Sequence, residues 1–136
     1  MDQHEPRDAA VELAHAIFQA CRDGDTDTVV TVVDQGAPVN MQDAEGNTMV
    51  MLAAYHGNAD LVRVLGERGA DVNLTNDRGQ TPLAGAVFKG YDDVSRVLLE
   101  AGADPDLGTP TARDAAVMFN RDLDFGSNTG TGDPSQ

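Results

Sequence analysis

The chain is short of positive charge. Of its 136 residues only 9 are Lys or Arg, against 23 Asp or Glu, a formal net charge of −14 at neutral pH. Binding nucleic acid means neutralising a row of phosphates with basic side chains, and nine dispersed bases under this much negative charge make no such footprint. Anionic membrane surfaces are disfavoured on the same ground. Long apolar runs are also missing: the longest, Met49 to Tyr55, falls well below the roughly 18 residues that suggest a spanning helix. The opening MDQHEPRDAA is acidic where a secretory leader would be basic and then apolar, so a cytoplasmic protein is expected. Tryptophan is absent, and the lone Cys21 can form no intramolecular disulfide and no thiolate metal site. Leu, Ile, Val and Phe together make up about a fifth of the chain, near the regime where chains stay disordered. Eighteen alanines offset this and point to small helices packed at close range.

What the chain does have is a period. Gly24, Gly57 and Gly90 stand 33 residues apart, and so do Gly36, Gly69 and Gly102. Gly46 with Gly79, Thr48 with Thr81, Ala20 with Ala53 and Ala86, and Val32 with Leu65 and Leu98 keep the same spacing. A fixed period of this length is the mark of a stacked repeat architecture. Each unit reads as turn, helix, short turn, helix, loop. Thr48 and Thr81 are placed to cap the first helices, the second followed by Pro82 at the first helical position, where a missing N–H costs nothing. Gly57, Gly90 and Gly24 suit left-handed C-terminal caps. A second helix is expected over about 59–68, with Leu61, Val62 and Leu65 at helical spacing, ending at Gly69. Segments 40–47 and 73–80, rich in Asn, Asp and Gly, read as hairpin-like fingers.

At these residues the chain resembles the ankyrin-repeat family, through GNTMVMLAAYHGNADLVRVLGERGADVN and GQTPLAGAVFKGYDDVSRVLLEAGADPD. The resemblance spans about 8–123 and is strongest to small single-domain bacterial ankyrin proteins. It implies an all-α ankyrin-repeat solenoid of helix-turn-helix units with short fingers, and a protein partner. The His of the family's TPLH motif is replaced by Met51 in one unit and Ala84 in the next, so cohesion between units is expected to lean on apolar packing. Units are expected at about 8–42, 43–75 and 76–108, with a cap at 109–125, between a flexible 1–6 and a disordered 126–136 that has no apolar residue. The first unit opens without a finger on a long helix, about 7–22, expected to turn Val11, Leu13, Ala14, Ile17 and Ala20 inward. In the cap, Asn120 takes the glycine's place after a finger about three residues shorter, Thr109 or Thr111 caps the helix bearing Ala115, Ala116 and Phe119, and Leu123 and Phe125 leave a stub of a second helix.

Register settles the run Val29 to Val33, strand-like by propensity, as a second helix, since Val29 shares a column with Val62 and Val32 one with Leu65. Asp23, Asp25, Asp27 and Asp34 have part of a calcium-loop spacing, but Thr28 stands where that loop needs Gly; a weak calcium site is the alternative to solvated helix capping. His4, His15 and His56 have no metal-ligand spacing, and Ser95, Ser127 and Ser135 lie in no nucleophile elbow. Cys21 reads as a small core residue, its thiol pKa expected to be raised by Asp23 and Asp25. No catalytic site, cofactor or metal is expected.

The functional candidates are surface columns. Arg22, Tyr55 and Phe88, beside Asp23, His56 and Lys89, precede the first-helix glycines and align into one concave stripe. Aromatics and Arg in such a stripe mark a protein interface, unless the rings simply pad the neighbouring unit. Finger residues extend the face: Met41, Gln42, Ala44, Glu45 and Asn47, then Thr75, Asp77, Arg78 and Gln80, at positions where the resemblance implies partner contact. The expectation is a monomeric, non-catalytic interaction module whose acidic surface favours a basic patch on the partner. Self-association through Phe119, Leu123 and Phe125 is the rival.

Overall fold

A computed structural model describes residues 6–120, with side chains from residue 9 onward. Leu123, Phe125 and the segment 126–136 therefore lie outside the described residues, as do residues 1–5. Among the described residues seven helices follow one another: α1 Pro6–Asp23, α2 Thr26–Asp34, α3 Met49–Tyr55, α4 Ala59–Glu67, α5 Pro82–Lys89, α6 Asp92–Glu100 and α7 Ala112–Met118. They stand in two rows. The inner row is α1, α3, α5 and α7, the outer row α2, α4 and α6, and each outer helix packs on the inner helix before it.

The 33-residue columns turn out to be identical hydrogen-bonded turns. After each of the first three inner helices the N–H that follows the column glycine reaches back to a carbonyl five residues earlier: Asp25 to Ala20, Asn58 to Ala53 and Tyr91 to Ala86, each 2.9 Å. The glycines between, Gly24, Gly57 and Gly90, have φ of 73°, 80° and 78°, the left-handed cap that satisfies the last carbonyls of a helix. Outer helices end the same way, Ala37 donating to Val32, Ala70 to Leu65 and Ala103 to Leu98. Asn120, in the glycine's place after α7, has φ of 55°. At the helix starts, Thr48, Thr81 and Thr111 accept from the N–H three residues on, at 3.1, 3.1 and 3.0 Å. Thr111, not Thr109, is the cap of α7.

Between the rows lies the core. Val29, Leu61, Val62, Leu65, Val87, Val94 and Leu98 are buried there with the alanines of α3 and α5, each large side chain contributing about 1.5–3 kcal/mol relative to exposure. Two expectations for α1 are corrected. Val11 and Leu13 are 50% and 56% exposed, and the inward face is Ile17, Phe18, Ala20 and Cys21. The cause is length: α1 has 18 residues and the helix it leans on, α3, has 7, so the first turns of α1 extend past the end of that helix.

Two glycines of α4 and its cap make opposite cases. Gly69 has open space around it but a φ of 91°, so Gly69→Val is expected to cost about 1–3 kcal/mol through backbone strain alone. Gly66 is helical, and an added Cβ would rest 3.5 Å from that of Ala101, ordinary contact. Gly66→Ala is therefore expected to be neutral or to stabilise by up to ~1 kcal/mol. Urea melts of both variants check the pair: equal losses would contradict these helix boundaries.

A concave face with two hollows

The fingers are held by more than their own turns. In the first, Asp43 N–H donates to Asn47 O and Gly46 N–H to Asp43 O, both 2.9 Å, with a bridge between Gln42 and Thr48. The second repeats the two hydrogen bonds, Asn76 N–H to Gln80 O at 3.1 Å and Gly79 N–H to Asn76 O at 2.9 Å. The fingers are then tied to one another: Asp77 N–H donates to Glu45 O at 3.0 Å, and Thr109 N–H to Gly79 O at 3.0 Å. Asn76 Nδ2, nearly fully buried, donates to Asn47 Oδ1 at 2.9 Å. Asn40 and Asn73 form a second ladder, accepting from the N–H of Asp71 and of Asp104, each at 2.8 Å. Cohesion between units is thus polar as well as apolar, which corrects the expectation drawn from Met51 and Ala84.

The proposed contact residues fall into three groups. Tyr55, Arg78, Gln80, Phe88 and Lys89 come together with Gly85, Thr109, Pro110, Ala115 and Met118 around a largely apolar groove of about 350 Å³ between α5, α7 and the second finger. Arg22 and Glu45 line a wider, more open hollow of about 690 Å³ between α1 and the first finger, where Arg22 lies 3.8 Å from Asp43. The third group belongs to neither. His56 is exposed, with Nδ1 2.8 Å from Leu52 O; Asp77 is exposed at its fingertip; and Asn47 is only 6% exposed, spent on holding the fingers together. Asn47 as a fingertip contact is corrected on that ground.

Tyr55 and Phe88 share a column but not a fate. The ring of Tyr55 lies on α5 at Gly85, where an added Cβ would fall within it, and its hydroxyl donates to Thr81 O at 3.4 Å. Burial pushes the phenol up to about 12, with the charge of Arg78 opposing. Tyr55 pads the next unit, as the packing alternative holds, and shows the groove one edge. One unit further on, the position equivalent to Gly85 is Ala115, because the last finger is three residues shorter, and Ala115 lines the groove with Phe88. The alanine methyl occupies the space that glycine leaves open. Phe88 is 58% exposed, its ring edge-on to Phe119 with centroids 4.8 Å apart.

The remaining charged groups are spread out. Asp25 caps α2, accepting from the N–H and hydroxyl of Thr28. Asp34 sits at the far end of that 9-residue helix, about 13 Å along its axis. There the Arg68 guanidinium grips Asp34 through two hydrogen bonds and holds its carboxyl below the usual range. Arg113 does the same to Asp106. Asp23 accepts from Gln19. Among the described residues no three His, Cys, Asp or Glu lie close enough to hold a metal ion, and no helix is long and apolar enough to cross a membrane. Cys21 is fully buried and its thiol is pushed up to about 12. Burial does this, not Asp23 and Asp25, and Arg22 opposes it.

Gly85, Met118, Pro110 and Ala115 were not singled out by the columns. A glycine inside a helix, where the preceding unit has Leu52, was the available signal for the first.

The folded repeats agree with the comparisons to known proteins. A family model described as ankyrin repeats, in three copies, matches residues 17–109. A Pseudomonas aeruginosa protein carrying the name "putative ankyrin repeat protein" is 41% identical over 45 residues, which cover 33% of this chain and 26% of that relative. This match thus takes in only about a quarter of the relative's length. With the repeat turns, the double row of helices and this match over most of its length, the chain belongs to the ankyrin-repeat family, whose repeats generally act as protein–protein interaction modules.

Proposed function

We propose that the chain is a non-catalytic docking module that holds a partner protein against its concave face. The observation that carries this is the groove between α5 and α7, where Phe88 and Met118 stand 58% and 63% exposed on a largely apolar wall. Large apolar side chains left in the open beside a concavity gain on contact the burial that drives association. The fingers that frame them are already fixed by hydrogen bonds within and between units, so binding orders little more of the chain. The net charge of −14 supports rapid, salt-sensitive approach by a partner with a basic patch on its wider surface. A single buried thiol suits a cytoplasmic setting.

Capture of partners from the native cell tests the reading with two variants. Phe88→Ala with Lys89→Glu alters the concave face; Arg96→Ala alters an exposed position on α6 of the outer row. The concave variant is expected to weaken retention of a specific partner by at least ~2 kcal/mol, roughly 30-fold, while stability falls by no more than about 1 kcal/mol, the worth of one ring pair. Arg96→Ala is expected to retain the partner fully. Equal retention by all three chains would remove the concave face from the account. The exposed strip Val117, Met118 and Phe119 favours self-association as the second reading; light scattering that shows a dimer lost on Val117→Asp would establish it.

A further inference from the structure

We infer that the groove between α5 and α7 receives a segment of the partner that carries a large apolar side chain with an Asp or Glu beside it. The inference rests on the docking role above and specifies the chemistry of what docks. Its first support is the wall itself, built from Phe88, Met118, Ala84 and Ala115 and suited to an apolar anchor. The second is the charge at its rim. In a chain with 23 acidic residues, the described lining of this groove holds Arg78 and Lys89 and no carboxylate.

Neither of those two cations is claimed by a described carboxylate. Among the described side chains, Arg22, Arg63, Arg68 and Arg113 each lie within ion-pair distance of an aspartate. Among the described residues Arg78, Lys89 and, on the outer row, Arg96 are in no ion pair, and the first two are exposed at the groove. The wider hollow at α1 shows the contrast: Asp43 and Glu45 line it, and its one arginine already faces Asp43 at 3.8 Å. An acidic segment would be repelled there and matched at the α5–α7 groove. The repulsion from the rest of the chain fades over about 8 Å at physiological salt, whereas charges at the rim would touch the segment directly. The groove is therefore locally selective for the charge sign that the chain as a whole repels.

Three synthetic peptides of equal length test this on the full chain, each with a central Leu and Phe, flanked in turn by aspartates, asparagines or lysines. Fluorescence anisotropy at physiological ionic strength is expected to show the aspartate peptide binding at least about tenfold more tightly than the lysine peptide, with the asparagine peptide between. Arg78→Glu with Lys89→Glu is expected to invert that order. Phe88→Ala should weaken the aspartate peptide on a chain whose melting remains close to the parent's. Equal binding of the three peptides, preference for lysine, or a preference that survives the charge reversal would overturn the inference. So would failure of the aspartate peptide to bind, including the case where light scattering shows a second copy filling the groove. If the peptides show no charge preference while Phe88→Ala with Lys89→Glu still loses the native partner, the docking role stands without this specificity. If neither responds, both fall.

Discussion

Gly85→Ala is expected to destabilise the fold by about 1–3 kcal/mol, although alanine is the better helix former by about 1 kcal/mol. The helix gains, and the interface between units loses more. Gly85 lies in α5 with an ordinary helical backbone, and its missing side chain makes room for the ring of Tyr55, which lies where a Cβ would go. An added methyl must lift that ring, open a void against α5 and stretch the hydroxyl away from Thr81 O. Tyr55→Ala alone is expected to cost about 2–4 kcal/mol, less than a fully buried aromatic because one edge of the ring is exposed. In the double variant the alanine methyl enters the space the ring has left. The two losses should then fall short of additivity by about 1 kcal/mol or more, the sign of direct contact. Denaturant melts of the four chains read this cycle; additive losses would mean that the ring does not rest on Gly85.

Asn76→Ala is expected to cost about 2–4 kcal/mol, the largest effect of any single finger residue. Its side chain is only 5% exposed and uses both ends. Oδ1 accepts from the N–H groups of Arg78 and Gln80, each at 3.0 Å, while Nδ2 donates to Gln80 Oε1 at 2.8 Å and Asn47 Oδ1 at 2.9 Å. Alanine leaves two backbone donors and the Asn47 carbonyl without these partners in a site with little access to water. Asn76→Asp keeps the two acceptor contacts and loses the donors, so a smaller loss, about 1–2 kcal/mol, is expected. Melts give the totals, and amide exchange at Arg78 and Gln80 should quicken in the alanine variant far more than in the aspartate one. A fully stable Asn76→Ala would show that the fingers need no link across the units.

These two sites mark where the linear sequence was legible and where it was not. The starts of α3, α5 and α7 and most helix ends could be read directly because they rest on local devices: a threonine hydroxyl that accepts from the N–H three residues on, or a glycine that takes a left-handed turn. The same is true of the strand-like run at Val29 to Val33, which register placed on α2. Burial was harder. Val11 and Leu13 have the spacing of a buried face, but spacing within one helix carries no information about where its neighbour stops. Asn47 looked like the tip of a turn and is buried because a residue 29 positions later donates to it. Tyr55 and Phe88 are equivalent along the repeat but differ in the hydroxyl that ties Tyr55 to Thr81 O and in the residue at the matching place on the next helix, glycine in one case and alanine in the other. The groove itself follows from that difference and from the shortened last finger, so it could not be seen in the aromatic column alone.

A photo-crosslinking side chain placed at position 88, and in separate chains at the outer-row positions 63 and 96, tests the docking account most directly. Phe88 and the Arg63 and Arg96 side chains are all exposed, so each substitution should leave the fold intact and differ only in the face it reports. Light applied in the native cell is expected to join the partner to the chain carrying the probe at 88 and not to the chains carrying it at 63 or 96. A partner joined from the outer row, with none from position 88, would contradict docking on the concave face.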